Sequence, residues 1–223
     1  TDEEREKTVQ LIRPILRGRD IKRYGYEFAD LYLIATFPSL KIDIEKYAAV
    51  KKHLLSFKME RLEQTGKEHK INGERIKARK KTANKWFETQ DSINYWDDFS
   101  KQKIAWGNLN LKASYAIAPE GMFVNAPCPI IVPASKYLLA VLNSKLADYY
   151  IRKLGVTRNG GYFEYKPMFI EQLPVPIASE SQQIAIGDLV SNISELNSEK
   201  MIDEAIFQLY TLTSEEADFL RSL

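Results

Sequence analysis

Seven cations stand between Lys70 and Lys85: Lys70, Arg75, Lys77, Arg79, Lys80, Lys81 and Lys85. Glu74 is the one acid among them, which leaves a net +6 in sixteen residues. Trp86 and Phe87 follow directly. Phosphates attract cations, and nucleobases offer flat faces for stacking, so basic residues interleaved with aromatics suit nucleic acid. On this reasoning Lys77, Arg79, Lys80, Lys81, Lys85 and Trp86 are candidate nucleic-acid contacts, and Lys103 joins them. The competing reading is a solvated basic loop beside a Trp that belongs to the core.

A second candidate is the run Thr157-Arg158-Asn159-Gly160-Gly161-Tyr162. Arg can bridge guanine O6 and N7, and Asn can pair with adenine N6 and N7. The glycine pair lets a backbone approach a groove closely. Arg158, Asn159 and Tyr162 are the candidate contacts here, against the plainer reading of an exposed loop.

Catalytic chemistry finds less support. His53 and His69 lie far apart in charged surroundings, which fits surface residues better than a metal site. Cys128, between Pro127 and Pro129, reads as a small buried apolar residue rather than a nucleophile. No GxxxxGK or GxGxxG run signals a phosphate cradle. Glu68-His69-Lys70 has the Glu-x-Lys spacing of some nucleases, but it falls in a charged stretch without strand character. Asn125-Ala126-Pro127-Cys128 only echoes the Asn-Pro-Pro-aromatic motif with which adenine methyltransferases hold a flipped amine. No catalytic residue and no metal ligand is therefore nominated.

The elements that must position these residues follow from periodicity and punctuation. Leu31 to Thr36 reads as a buried strand ended by Pro38. Asp43 reads as the N-cap of one long helix whose apolar positions run from Ile44 to Leu62, closed by Gly66. Residues 67–103 are polar and basic. Short strands are expected around Lys103–Trp106, Tyr115–Ala118, Met122–Val124 and Ile130–Val132. A second long helix is expected from Ser135 to Leu154, before Gly155. Ser179 with Gln182, and Thr213 with Glu216, have capping-box spacing. Ile186, Leu189, Ile193 and Leu196 form a narrow apolar seam.

Mixed strands with irregularly alternating helices imply an α+β class: a small-stranded mixed or antiparallel domain with long helices, then a helical segment. The expected division is residues 1–170 and an acidic tail, 171–223. That tail holds ten acids against Lys200 and Arg221, a charge of −8, so residues 1–170 carry +10 of the total +2. Such asymmetry points the basic part toward a polyanion and the tail away from it. No stretch approaches the roughly 18 apolar residues of a membrane span. The acidic N-terminus has no signal-peptide pattern, and its first residue, Thr1, suggests a piece of a longer protein. One cysteine fits a reducing cytoplasm.

In order, the segments resemble the TaqI-like C-terminal specificity domain of adenine-N6 DNA methyltransferases and of type IIG restriction-modification enzymes. The landmarks are Ile12-Arg13-Pro14-Ile15-Leu16-Arg17-Gly18-Arg19-Asp20-Ile21, Tyr32-Leu33-Ile34, Lys85-Trp86-Phe87-Glu88, Lys103-Ile104-Ala105-Trp106, Leu142-Asn143-Ser144-Lys145-Leu146 and Gln172-Leu173-Pro174-Val175-Pro176. A further match runs from Ile206 to Glu216. The resemblance implies a target recognition domain that reads double-stranded DNA for an upstream methyltransferase domain of the same polypeptide. It implies S-adenosylmethionine for the parent enzyme and leaves magnesium and a fused endonuclease open. It implies no cofactor for this chain. The alternatives are a protein-interaction module, with the acidic helices as docking surface, or a small nuclease resting on Glu68 and Lys70.

Overall fold

The computed structural model describes all residues, 1–223. Two compact units divide the chain, one of Thr1–Pro14 with Tyr32–Asp97, the other of Ile15–Leu31 with Asp98–Leu223. The architecture is α+β, built from short strands and nine α-helices.

In the first unit, Ile12, Arg13 and Pro14 pair antiparallel with Ile34, Leu33 and Tyr32. The strand here is only Tyr32–Ile34, and Tyr32 is exposed. The buried residues Ala35, Thr36 and Phe37 follow it. Leu11, Ile42, Ile44, Val50 and Phe87 make the core, with Ile34, Leu40, Tyr47, Leu54 and Trp86 packed against it.

The long helix expected from Asp43 is broken into three pieces: a 3-10 turn at Ile44–Lys46 and α-helices at Ala48–Leu55 and Met59–Leu62. Asp43 does cap the first, its carboxylate accepting from the Glu45 amide at 3.2 Å. Lys58 at φ 71 turns the chain out of helical geometry, and Ser56 Oγ donates to His53 O at 2.6 Å to close the preceding turn. Val50 is the only residue of Ala48–Leu55 that is buried, so the apolar period had little core to face.

The basic stretch after residue 67 is not featureless. Glu68–Ile71 and Glu74–Lys77 pair antiparallel as a hairpin. Its two-residue turn is Asn72-Gly73, both at positive φ, 51° and 85°. That is the pairing a type I′ turn requires, and Asn-Gly is a strong sequence signal for it.

The second unit is built on a three-stranded antiparallel sheet. Lys103–Trp106 lies at its centre, between Ile130–Ile131 and Tyr115–Ala118. Ile15 and Leu16 pair in parallel with Phe123 and Val124. Ile104, Trp106 and Tyr115 join Leu139, Leu142 and Ile151 in one large core.

The second long helix is also interrupted. Lys136–Asn143 and Lys145–Leu154 meet at Ser144, which ends the first in extended geometry and caps the second. Ser144 Oγ donates to Val141 O at 2.7 Å and accepts from the Ala147 amide at 3.1 Å.

Both capping boxes form, at the starts of Glu180–Ser191 and Ser214–Ser222. The third acidic helix is Ser198–Leu209. Ile186, Val190, Ile202 and Ile206 belong to the same core as the sheet. The boundary expected at residue 170 therefore does not coincide with a boundary between compact units. The seam stops short of Leu196, which lies outside the helix and is 90% exposed. No helix is long and apolar enough to cross a membrane.

Candidate nucleic-acid interface

In the first unit the interface starts from Arg79, which the sequence suggested as a phosphate contact. The structure corrects this. Arg79 Nε and Nη2 donate to Leu62 O at 2.8 and 2.6 Å, and Nη1 donates to Glu88 O at 2.8 Å. Nη2 also donates to Trp86 O. The guanidinium thus joins backbone carbonyls from both ends of the loop and has little left for a phosphate.

Other side chains fix the same loop. Gln64 is buried and donates to Lys85 O and Glu88 O at 3.0 and 2.8 Å. Its Oε1 accepts from Thr82 Oγ1 at 2.7 Å. Glu88 accepts from the Lys85 amide at 2.8 Å, and Asn84 donates to Thr89 O and Gln90 O, each at 2.9 Å. Buried side chains satisfy the backbone groups that a helix or ladder would otherwise pair.

This rigid loop presents Lys80, Lys81 and Lys85 to solvent, beside Lys77 at the end of the hairpin. None of the four forms an ion pair, although Lys85 Nζ lies 5.6 Å from the centre of the Phe87 ring. Trp86 sits half-buried against the core, edge-on to Phe87 at 5.5 Å and 85°. It packs, and part of its surface stays open. His69, in the hairpin, pairs with Glu63.

Lys103 requires a second correction. It is fully buried in the second unit, and its Nζ donates to Phe99 O, Pro119 O and Met122 O, each at 2.8 Å. Burial pulls its pKa down to about 8. It fastens three loop carbonyls and is not a surface contact.

The loop Thr157–Tyr162 in the second unit is a small hairpin. Thr157 bridges Phe163, and the Arg158 amide donates to Tyr162 O at 2.7 Å. Gly160 and Gly161 both take φ 79, where side chains are strained. Arg158 Nε donates to Glu164 at 2.6 Å, and Lys166 pairs with the same carboxylate at 2.9 Å. These two cations hold the Glu164 carboxyl below the usual carboxylate range. Arg158 is thus a strut of the loop, while Asn159 and Tyr162 stay exposed at its tip. Sequence reasoning missed Glu164, since nothing in the spacing marks it as the partner.

Cys128 is only partly covered, its Sγ 3.3 Å from Asn125 Oδ1, and burial pushes its thiol up to about 11. That is inert-thiol chemistry.

A sequence profile described as the TaqI-like C-terminal specificity domain matches residues 13–175. The chain belongs to that family. No curated protein matches it. Two solved structures share the fold of this TaqI-like specificity domain. One is the type IIL restriction-modification enzyme MmeI in complex with DNA, with TM-score 0.58, 12% identity, and coverage of 100% of this chain and 34% of that one. The other is the type IIG restriction endonuclease BpuSI, with TM-score 0.50, 12% identity, and coverage of 96% and 26%. The domain spans about a third of the first chain's length and a quarter of the second's.

The landmarks of the TaqI-like domain have structural reasons in this chain. In Arg17-Gly18-Arg19-Asp20, Asp20 accepts from Arg17 Nε, Nη2 and backbone N at 2.9, 2.8 and 2.8 Å. Lys85-Trp86-Phe87-Glu88 is the turn closed by Glu88. In Leu173-Pro174-Val175-Pro176 the carbonyls of Pro174 and Pro176 accept from Tyr210 and Tyr137 at 2.5 and 2.6 Å.

Proposed function

We propose that this chain reads a target sequence in double-stranded DNA for a type IIG-like adenine-N6 DNA methyltransferase whose catalytic domain lies upstream. The observation that carries the reading is the row Lys77, Lys80, Lys81 and Lys85, exposed and without acidic partners on a loop held rigid by Arg79 and Gln64. Cations without acidic partners on an ordered loop favour a polyanion because no ion pair must first be broken and the backbone needs little further ordering. Family membership and the fold shared with MmeI, which was solved in complex with DNA, support the same reading. Trp86, Asn159 and Tyr162 are proposed as further contacts, and Arg158 as the residue that positions the last two.

S-adenosylmethionine belongs to the upstream domain in this reading. The charged side chains around the larger groove of the second unit do not fit it. Arg23 pairs there with Glu199, Arg152 with Asp148 and Arg221 with Glu204, so they are committed to each other.

The test is duplex binding across a salt series. If about five to eight phosphates are contacted, log K falls against log salt with a slope of roughly −5 to −7. Labelled S-adenosylmethionine yields no methyl transfer with this chain, and added magnesium yields no cleavage. A salt-independent affinity, or no duplex binding at any salt, overturns the proposal. Cleavage would favour the nuclease alternative.

A further inference from the structure

The hairpin Glu68–Ile71/Glu74–Lys77 carries three cations of the basic run, Lys70, Arg75 and Lys77, together with the acids Glu68 and Glu74. In an antiparallel pair, directly opposed residues share a face and alternate along the strands. Glu68 opposes Lys77, and Lys70 opposes Arg75. All four are exposed, so they form the outer face. His69 opposes Ile76 on the other face, where Ile76 is buried and His69 pairs with Glu63. Like charges directly opposed across a strand pair are destabilising, because their Cβ atoms lie only about 4.5–5.5 Å apart. Glu68 relieves none of this by contact, since it forms no ion pair with Lys77 or Lys70.

The base of the hairpin is fixed. The Ala78 amide donates to Lys67 O at 2.9 Å, the Gly66 amide to Arg79 O at 2.8 Å and the Arg79 amide to Glu63 O at 3.1 Å. The tip, Asn72-Gly73, is exposed. A two-stranded ribbon anchored at its base thus carries Lys70, Arg75, Lys77 and Glu68 on one face, an exposed amide at its tip and a like-charge pair behind the tip.

We infer that this hairpin enters the major groove of the duplex, with Asn72 and Arg75 reading base edges and Lys70 and Lys77 meeting the flanking phosphates. The inference rests on the DNA-recognition reading above and assigns the reading element within it. Strands about 4.8 Å apart make a ribbon that fits a groove about 12 Å wide. Four residues per strand reach roughly 10 Å, beyond the groove depth of about 8.5 Å. The groove supplies the negative potential that the opposed Lys70 and Arg75 lack in the free protein. Arg75 carries the fork that matches guanine O6 and N7, and Asn72 the amide that matches adenine N6 and N7.

The test selects bound sequences from a randomised duplex pool with the full chain, then repeats the selection with Asn72→Ala and Arg75→Ala. Dimethyl sulfate footprinting reports guanine N7 in the major groove of the selected site. Arg75 is exposed, so Arg75→Ala should keep the parent's melting temperature; Asn72 sits at φ 51, so Asn72→Gly, which removes the amide and keeps the turn, is run beside Asn72→Ala. Arg75→Ala is expected to lose one guanine preference and its N7 protection. Affinity for the selected site should fall tenfold or more, with less than a threefold change on random duplex. Both Asn72 variants are expected to lose a different position. An unchanged selected sequence and an unchanged N7 footprint in all three variants overturn the inference while leaving DNA recognition standing. A parent chain that binds duplex but selects no sequence overturns it as well. A parent chain that binds no duplex at any salt overturns the recognition reading and this inference together.

Discussion

Asn143 completes the backbone pairing of Tyr115: its Oδ1 accepts from the Tyr115 amide and its Nδ2 donates to the Tyr115 carbonyl, each at 3.0 Å. The side-chain amide takes the place of a neighbouring strand residue beside Tyr115–Ala118. Both residues are fully buried, and Asn143 is the last residue of Lys136–Asn143, just before Ser144 breaks the helix. The landmark Leu142-Asn143-Ser144 is thus a joint between sheet and helix.

Asn143→Ala leaves the Tyr115 amide without a partner in the core, while the Tyr115 carbonyl keeps the Tyr24 amide at 2.9 Å. Each buried unsatisfied group costs about 1–3 kcal/mol. Chemical unfolding should show a loss of roughly 1–3 kcal/mol, the range for one such group. Asn143→Asp, which keeps the acceptor and removes the donor, should also destabilise. A loss under about 0.5 kcal/mol in both would remove this joint from the account of the fold.

The Arg17–Asp20 pair gives stability a definite pH dependence. The hydrogen bonds from Arg17, opposed by burial, hold the Asp20 carboxyl below its ordinary value of 3.8. A carboxyl depressed in the folded state contributes stability that is fully present above its unfolded pKa. That contribution is lost as pH falls from about 4 through the folded pKa. The stability difference between the parent chain and Asp20→Asn should therefore be constant from pH 7 to 5 and shrink below pH 4. A difference that does not change down to pH 2 would contradict the assignment.

Lys80 and Lys81 separate phosphate contacts from structural cations. Replacing both with Ala should weaken all duplex sequences about equally and shallow the salt slope by about 2. Lys103→Met should leave the slope unchanged. It removes the donor from three carbonyls, so its melting temperature should fall instead. A shallower slope in folded Lys103→Met would return that residue to the interface.

What the sequence made legible was local. The capping boxes at Ser179 and Thr213 and the central strand Lys103–Trp106 follow from side chains acting on their own neighbourhood. The Asn72-Gly73 turn was equally local, but the density of charge around it masked the hairpin. Both long helices failed as single elements because periodicity does not register the interruptions at Lys58 and Ser144. The cations were the hardest to sort. Composition counts Arg79 and Lys103 with Lys80 and Lys81, and only the fold shows which ones face backbone carbonyls.

Asn159 and Arg158 should behave differently although they are neighbours. The Asn159 side chain is exposed at the tip of the loop. If it reads a base, Asn159→Ala should cost about 1–3 kcal/mol at one position of the target and leave the melting temperature unchanged. Arg158 instead supports Glu164 beside Lys166. Arg158→Ala should disturb the loop and weaken that preference indirectly, and Arg158→Lys should restore part of it. An equal loss on every duplex, with no change of preference in either variant, would make the loop a phosphate contact.

The acidic C-terminal helices carry the last prediction. Their charge opposes a polyanion, so on charge alone truncation would leave DNA affinity the same or slightly higher. Packing argues otherwise. Ile202 and Ile206 are fully buried in the core that includes Leu139 and Ile151, and Asp203 accepts from the Lys145 amide at 2.9 Å, at the start of Lys145–Leu154. Phe207 packs with Leu146, Tyr149, Ala217 and Leu220. Deleting residues 199–223 should therefore unfold the second unit, read as loss of its cooperative transition. Ile202→Ala or Ile206→Ala alone should cost about 2–5 kcal/mol, the usual range for truncating a large aliphatic core residue. Neither point variant should change DNA affinity at temperatures where the chain is folded, because the helix's apolar face is committed to the core. A truncated chain that unfolds at the parent's temperature would show that these helices are an appendage rather than a wall of the core.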